Sequence, residues 1–188
     1  MVNLYLDGCS YTYGLGLEKY QTLEYLFGQA GYKVTNLSRP GKSNMAISLD
    51  THKNLHKHDV YVIGFTYSSR FYINFRDFDL DLINTRFELN GTREDIEDAY
   101  VNLHKSFYTL YDHSYWHLVS DMLVNNTISA IKLSGKKVFS FSWEKRLSSD
   151  IYYPIILPTD RISIDDPHMN ARATKKLFDL IQNQLGDA

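Results

Sequence analysis

The sequence predicts an α/β protein whose mainly parallel sheet is covered by helices on both faces. Short apolar segments typical of buried strands alternate with segments whose apolar residues recur at helical spacing. Strands separated by helices favour parallel pairing through right-handed crossovers. The chain has 188 residues, enough to enclose one hydrophobic core but seldom two, so we expect a single domain over residues 1–188.

The first third of the chain predicts the order β-α-β-α-β. Apolar residues in the segment 2–7 indicate a buried strand that stops at Gly8. Leu23 and Phe27 stand at helical spacing in the first predicted helix, and Ser43 is the expected N-cap of the second. The predicted strands are 2–7, 33–37 and 60–63, and the predicted helices are 20–30 and 43–56.

The rest of the chain is less regular. Residues 65–86 mix charged and aromatic side chains and are predicted as loop, whereas apolar residues from Ile96 to Leu110 form one stripe on a helix beginning near Thr92. We interpret residues 65–134 as a helical, aromatic-rich insertion. The remaining predicted elements are a helix from about 114 that stops before Gly135, a strand 138–141, an extended segment 151–157 and a closing helix 170–185.

Composition excludes several classes of function. The 20 basic and 22 acidic residues give a net charge of −2, so no basic field favours binding to nucleic acid or to an anionic membrane. A single cysteine excludes an internal disulfide, and no basic, then apolar leader precedes the first strand, which together favour a cytoplasmic location. The apolar stretches are far shorter than the roughly 20 residues needed to cross a bilayer.

The predicted strand ends bring together residues suited to acyl transfer. In a parallel sheet, loops at the carboxyl ends of the strands converge on one crevice. Ser10 follows Gly8 and Cys9 at the first strand end, and His168 stands in the last loop with Asp165 three residues earlier. This spacing predicts Ser10 as nucleophile, His168 as general base and Asp165 as the carboxylate that orients the imidazole.

Four strand-end segments resemble the conserved blocks of the SGNH, or GDSL-like, hydrolases. They are Gly8-Cys9-Ser10-Tyr11-Thr12, Gly41 with Ser43-Asn44, Gly64-Phe65-Thr66, and Asp165-Asp166-Pro167-His168. The resemblance implies a three-layer α/β/α fold of flavodoxin-like character and hydrolysis of esters without a metal or organic cofactor. It also implies the three catalytic roles above, with the N–H groups of Ser10 and Gly41 as oxyanion donors. Small uncharacterised members met in bacteriophages look most similar.

The chain departs from this family pattern at two positions. Cys9 replaces the family's Asp after the first glycine, and Thr66 replaces the asparagine of the third block. A missing oxyanion donor is worth on the order of 10² to 10³ in rate. Thr66 or Asn44 would have to substitute, and we hypothesise that Asn44 does so.

Other sites compete for the same residues. Gly41 and Lys42 do not complete a phosphate-binding loop, because Asn36 stands where its first glycine belongs. Cys9 is an alternative nucleophile, although a lone cysteine beside a strand is more often a small buried hydrophobe. Three histidines in or near the second predicted helix are candidate metal ligands: His52, His56 and His58. No nearby acidic residue or cysteine completes a metal site with them.

Substrate contacts are expected beside the crevice. Arg70 follows the third strand end and would meet an anionic group or anchor its own loop. Several aromatic residues there would stack on a sugar ring or an aromatic group, or would pack in the core: Tyr11, Tyr13, Tyr67, Phe71 and Tyr72.

Together these residues predict a serine hydrolase that cleaves an ester, and the expected substrate is an acyl ester of a carbohydrate or a similar alcohol. The alternative is a non-catalytic module of the same fold that binds a ligand or a protein, and the altered third block favours it. Neither hypothesis involves nucleic acid or a membrane. The apolar stripe of the insertion is compatible with packing on the domain, with a dimer surface or with a lid.

Overall fold

The computed structural model describes residues 1–74, 79–82, 102, 112–152 and 158–186. Within them, one sheet consists of five parallel strands: β1 (Asn3–Gly8), β2 (Lys33–Asn36), β3 (Val60–Phe65), β6 (Lys137–Ser142) and β7 (Ile151–Tyr152). Their order in the sheet is β2-β1-β3-β6-β7. A separate antiparallel pair consists of β4 (Phe71–Asn74) and β5 (Asp79–Leu82).

Most predicted helices are present. Ser43 caps its helix as expected, because its Oγ accepts a hydrogen bond from the Ala46 N–H at 3.3 Å, and Asn170 caps the last helix in the same way. The α-helices are α1 (Ser10–Tyr13), α2 (Leu23–Gln29), α3 (Asn44–Lys53), α4 (His113–Leu133) and α5 (Ala171–Leu185), with short 3₁₀ turns at Lys19–Gln21 and Pro158–Asp160.

Alternate strand residues point into two separate cores. On β1, Leu4 and Leu6 pack in a cluster with residues of α2 and α5, whereas Tyr5 packs in a second cluster with residues of α3 and α4. All three side chains are fully buried. Because each face of the sheet has its own helical layer, the α/β/α class predicted from the sequence is confirmed.

The region after β3 differs from its prediction. The segment predicted as loop contains the antiparallel pair β4 and β5, which the irregular mixture of charge and aromatics did not reveal. The striped helix predicted from 92 to 110 lies outside the described residues, apart from residue 102. The helix α4 is part of the core layer, because Val124, Ile128 and Ile131 are buried against the sheet.

In the ranges described above, every helix falls short of the length and apolarity required of a membrane span.

Candidate active site

Ser10 is the first residue of the short helix α1, which starts where β1 ends. Gly8 and Gly64 are paired on neighbouring strands, and Thr12 lies against both. A Cβ at either glycine would come within 2.2 Å of the Thr12 Oγ1 atom. Because neither glycine has a side chain, Thr12 of α1 packs directly against the two strands. This contact positions Ser10 at the start of the same helix.

His168 reaches Ser10 from the loop before α5. Its Nε2 atom is 3.0 Å from the Ser10 Oγ atom, across 158 residues of sequence. The Ile162 N–H donates to the His168 carbonyl at 2.9 Å, so the two arms of the loop are tied together. The serine and the imidazole predicted to act together thus lie within hydrogen-bond distance.

Asp166, and not Asp165, contacts the imidazole. The Asp166 Oδ1 atom accepts the His168 backbone N–H at 3.0 Å and lies 2.6 Å from His168 Nδ1. A carboxylate that accepts the N–H two residues further on forms an Asx turn, which folds Asp166 back towards the ring. Asp165 is exposed at the turn. The prediction that Asp165 contacts the imidazole is therefore wrong. The Asx turn brings the carboxylate two residues before His168 to the ring, and not the one three residues before it.

Electrostatics keep this carboxylate ionised. The His168 backbone N–H, followed by the imidazole, holds the pKa of Asp166 below its ordinary value. The Asp166 side chain is 39% exposed, and that of His168 is 21% exposed. An ionised carboxylate on Nδ1 favours the tautomer that leaves Nε2 free to accept the Ser10 proton.

Tyr11 forms the wall beside His168. Its ring centroid lies 4.9 Å from that of His168 and 4.7 Å from that of Trp143. Burial raises the pKa of Tyr11, and the neighbouring Tyr67 adds to the shift. Tyr11 is 8% exposed and belongs mainly to the core, whereas Tyr67 is 38% exposed and offers a ring to solvent.

The expected oxyanion donors are backbone N–H groups. Gly41 has φ +76°, in the left-handed region that favours glycine. Within the part of the chain that the structure describes, neither the Ser10 nor the Gly41 N–H donates to another group. Neither N–H group is therefore engaged by another group in the described ranges.

Asn44 is occupied by the backbone of Thr66. Its Nδ2 donates to the Thr66 carbonyl at 2.9 Å, and its Oδ1 accepts the Thr66 N–H at 2.7 Å. The side chain is 1% exposed. This paired arrangement ties the start of α3 to the end of β3, so Asn44 is a clamp in this structure. The Thr66 Oγ1 atom is buried without a hydrogen-bond partner among the described residues.

Two other polar clusters were missed by the sequence reasoning. Ser68, His117 and Glu144 form one, with Ser68 Oγ 3.2 Å from His117 Nδ1 and His117 Nε2 3.0 Å from Glu144 Oε1. Lys42 and Asp7 form the other, a fully buried ion pair at 2.6 Å. A charged residue inside an otherwise apolar strand, as at Asp7, is the signal that could have pointed to the second.

The remaining candidate residues have other surroundings. Cys9 is fully buried in the core, which supports the packing interpretation and not the nucleophile. His58 stacks against Tyr5, with ring centroids 5.3 Å apart. In the described ranges, no three His, Cys, Asp or Glu side chains are grouped so that they could hold a metal ion.

Arg70 lies over an aromatic ring near the crevice. Its guanidinium carbon is 5.7 Å from the centroid of the Tyr67 ring. None of the carboxylates in the described ranges forms an ion pair with it. Tyr13 is 46% exposed, and the side chains of Phe71 and Tyr72 lie outside the described residues.

Solved structures share this fold. The chain resembles the crystal structure of TesA with a TM-score of 0.57 and 12% identity, covering 95% of each chain. It resembles the psychrotrophic esterase EstA from Pseudoalteromonas sp., in a structure inhibited by monoethylphosphonate, with a TM-score of 0.52 and 10% identity, covering 98% of this chain and 97% of that one. The three-layer α/β/α fold implied by the resemblance is thereby confirmed over nearly the whole chain.

No family model matches the chain, and no curated protein matches it.

Proposed function

We propose that this protein is a serine hydrolase that cleaves an ester through an acyl-enzyme on Ser10. One observation carries the proposal: Ser10 Oγ, the His168 imidazole and the Asp166 carboxylate follow one another at 3.0 and 2.6 Å. Whole-chain likeness to an esterase fold supports the same class of reaction.

In the first half-reaction, neutral His168 takes the Ser10 proton at Nε2 as Oγ attacks the ester carbonyl. Asp166 stabilises the imidazolium that forms. The Ser10 and Gly41 N–H groups stabilise the oxyanion, and the imidazolium then protonates the departing alcohol. In the second half-reaction, His168 takes a proton from the water that attacks the acyl carbonyl. The imidazolium then gives this proton to Ser10 Oγ as the acyl C–O bond breaks and the acid leaves.

The substrate proposed is an acyl ester of a carbohydrate or a similar alcohol. Two exposed aromatic rings of the described residues would stack on a sugar: Tyr13, on the same short helix as Ser10, and Tyr67, a neighbour of Tyr11. Arg70 would contact the substrate beyond the ester, since its guanidinium stands beside Tyr67 without a carboxylate partner in the described ranges.

The second candidate is a non-catalytic binding module. Thr66 stands where the resembled family has an amide donor, and its Oγ1 is buried, so an oxyanion would be held by two backbone donors alone. The loss of a donor costs on the order of 10² to 10³ in rate.

Ester hydrolysis by the wild type and by His168→Gln tests the proposal. The wild type should hydrolyse a series of acetylated sugars and an activated aryl ester, and His168→Gln should lose most of this activity, because no other group accepts the Ser10 proton. Absence of turnover in a folded wild-type sample that still binds acetylated sugars would favour the binding module. Full activity in a folded His168→Gln variant would contradict His168 as the base.

A further inference from the structure

A buried lysine lies directly after the proposed oxyanion donor Gly41. The Lys42 ammonium is 0% exposed and has three oxygen partners: Asp7 Oδ1 at 2.6 Å, Asp50 Oδ2 at 2.7 Å and the Leu37 carbonyl at 3.0 Å. These partners belong to the end of β1, to α3 and to the segment following β2. One side chain thus joins three elements that surround the crevice.

Asp7 connects this lysine to the nucleophile. Its Oδ1 atom also accepts the Gly8 N–H at 2.7 Å, and its Oδ2 accepts the Tyr5 hydroxyl at 2.8 Å. Asp7 is fully buried, like Lys42. Ser10 is three residues from Asp7, and Gly41 is adjacent to Lys42, so the ion pair links the two chain segments that carry the proposed oxyanion donors.

The ion pair is an unfavourable way to stabilise a core. Burial raises the pKa of Asp7 to about 6, although Lys42 and the hydrogen bonds to Asp7 all act to lower it. Buried ion pairs often contribute less than apolar residues of the same volume, because both charges lose their hydration. These opposing effects favour the interpretation that the Asp7–Lys42 ion pair positions the backbone and does not mainly stabilise the core.

We infer that Asp7 and Lys42 are positioning residues that fix the distance between the Ser10 and Gly41 N–H groups. The inference rests on the proposed function, since it assigns these groups to oxyanion binding. A second backbone contact reinforces the link, because the Arg39 N–H donates to the Gly8 carbonyl at 3.2 Å. The ion pair itself lies inside the protein and does not touch substrate.

The expected effect is on the chemical step. A displacement of about 1 Å at a reacting group costs on the order of 10²-fold in rate. The neutral double variant D7N/K42M removes both fully buried charges together. Asp50 also loses Lys42 in this variant, but its Oδ2 atom keeps Arg39 Nη1 at 3.6 Å. We expect its kcat to fall by about 10- to 100-fold with KM little changed, because the oxyanion forms only during reaction.

The matched control is D59N/K136M. Asp59 and Lys136 form an ion pair, with Lys136 Nζ 3.7 Å from Asp59 Oδ1. They stand just before β3 and β6 begin, at the amino ends of the strands and therefore away from Ser10. The same substitutions there should leave kcat and KM as in the wild type.

The experiment measures kcat and KM of ester hydrolysis per active site, with sites counted by stoichiometric phosphonylation and folding followed by thermal melting. A purely structural role would reduce the number of sites but leave kcat per site unchanged. A folded D7N/K42M variant with wild-type kcat per site would overturn the inference and leave the proposed function standing. A folded wild type that neither reacts with the phosphonate nor hydrolyses esters would overturn both.

Discussion

Two Ser–His–carboxylate clusters lie at the carboxyl ends of the strands in the part of the chain that the structure describes, and they differ in how each serine is held. In the first, Ser10 faces His168 Nε2 and Asp166 faces Nδ1. In the second, Ser68 faces His117 Nδ1, and Glu144 faces Nε2. The residue types are nearly identical, so their identity alone does not decide the function.

The backbone N–H of each serine marks the difference. The Ser68 N–H donates to Glu144 Oε2 at 2.8 Å, which closes the second cluster into a ring, so this N–H is not free to bind an oxyanion. In the described structure the Ser10 N–H has no acceptor. Ser68 belongs to the segment after β3, His117 to α4 and Glu144 to the segment after β6. We interpret the second cluster as a clamp that fastens α4 to the sheet.

The largest expected effect comes from replacing each serine. Ser10→Ala should lower the hydrolysis of an activated ester by at least about 10³-fold, because no other group supplies the nucleophile. Ser68→Ala should leave kcat near the wild-type value and lower the melting temperature. Steady-state kinetics and melting curves of both variants check the comparison. Equal losses of activity in the two variants would remove the distinction between the clusters.

The next effect separates two neighbouring acids. Asp166→Asn should lower kcat by about 10² to 10⁴, because the amide no longer stabilises the imidazolium or selects its tautomer. Asp165→Asn is the matched control and should behave as the wild type, since Asp165 is exposed. Activity assays of both variants decide between the two acids. The reverse order of effects would restore Asp165 as the orienting residue.

A smaller effect is expected from the clamp beside Thr66. Asn44→Ala leaves the Thr66 N–H and carbonyl without their partners, which should cost about 1–3 kcal/mol of unfolding free energy and reduce activity through displacement of the β3 end. Thr66→Val removes only the hydroxyl, whose Oγ1 has no partner in the described ranges. Chemical denaturation and kinetics of both variants test this. Full activity in Asn44→Ala would exclude any part for Asn44 in catalysis.

The smallest effect concerns the pH dependence of stability. Since the folded-state pKa of Asp7 is about 6, above the ordinary value of 3.8, Asp7 stabilises the fold at low pH, and this contribution is lost as the pH rises through 6. Asp7→Asn removes this dependence. The difference in unfolding free energy between wild type and variant should therefore change between pH 4 and pH 6. A constant difference would mean that Asp7 does not titrate in that range.

The elements of the sheet were predictable because their signals are local. The buried strands β1 and β3 follow from apolar runs that end near Gly8 and Gly64, and the cap of α3 follows from Ser43. The facing of Ser10 and His168 was predictable as well, because parallel strands bring their carboxyl ends to one edge.

The features that the sequence did not predict depend on contacts between residues that have no regular spacing in the chain. The choice of Asp166 over Asp165 follows from an Asx turn, which a spacing rule does not contain. The pairing of Lys42 with Asp7 joins residues 35 positions apart. The antiparallel strands β4 and β5 lie in a segment that mixes charged and aromatic residues without clean alternation, so the sequence did not predict them.

The most direct test of the central claim is the site of covalent labelling by an organofluorophosphonate. The folded wild-type protein should gain one phosphonyl group, and peptide mass analysis should locate it on Ser10, with no label in Ser10→Ala and full label in Ser68→Ala. A label on Ser68, on Cys9 or on no residue of the folded protein would contradict the assignment of Ser10 as the nucleophile.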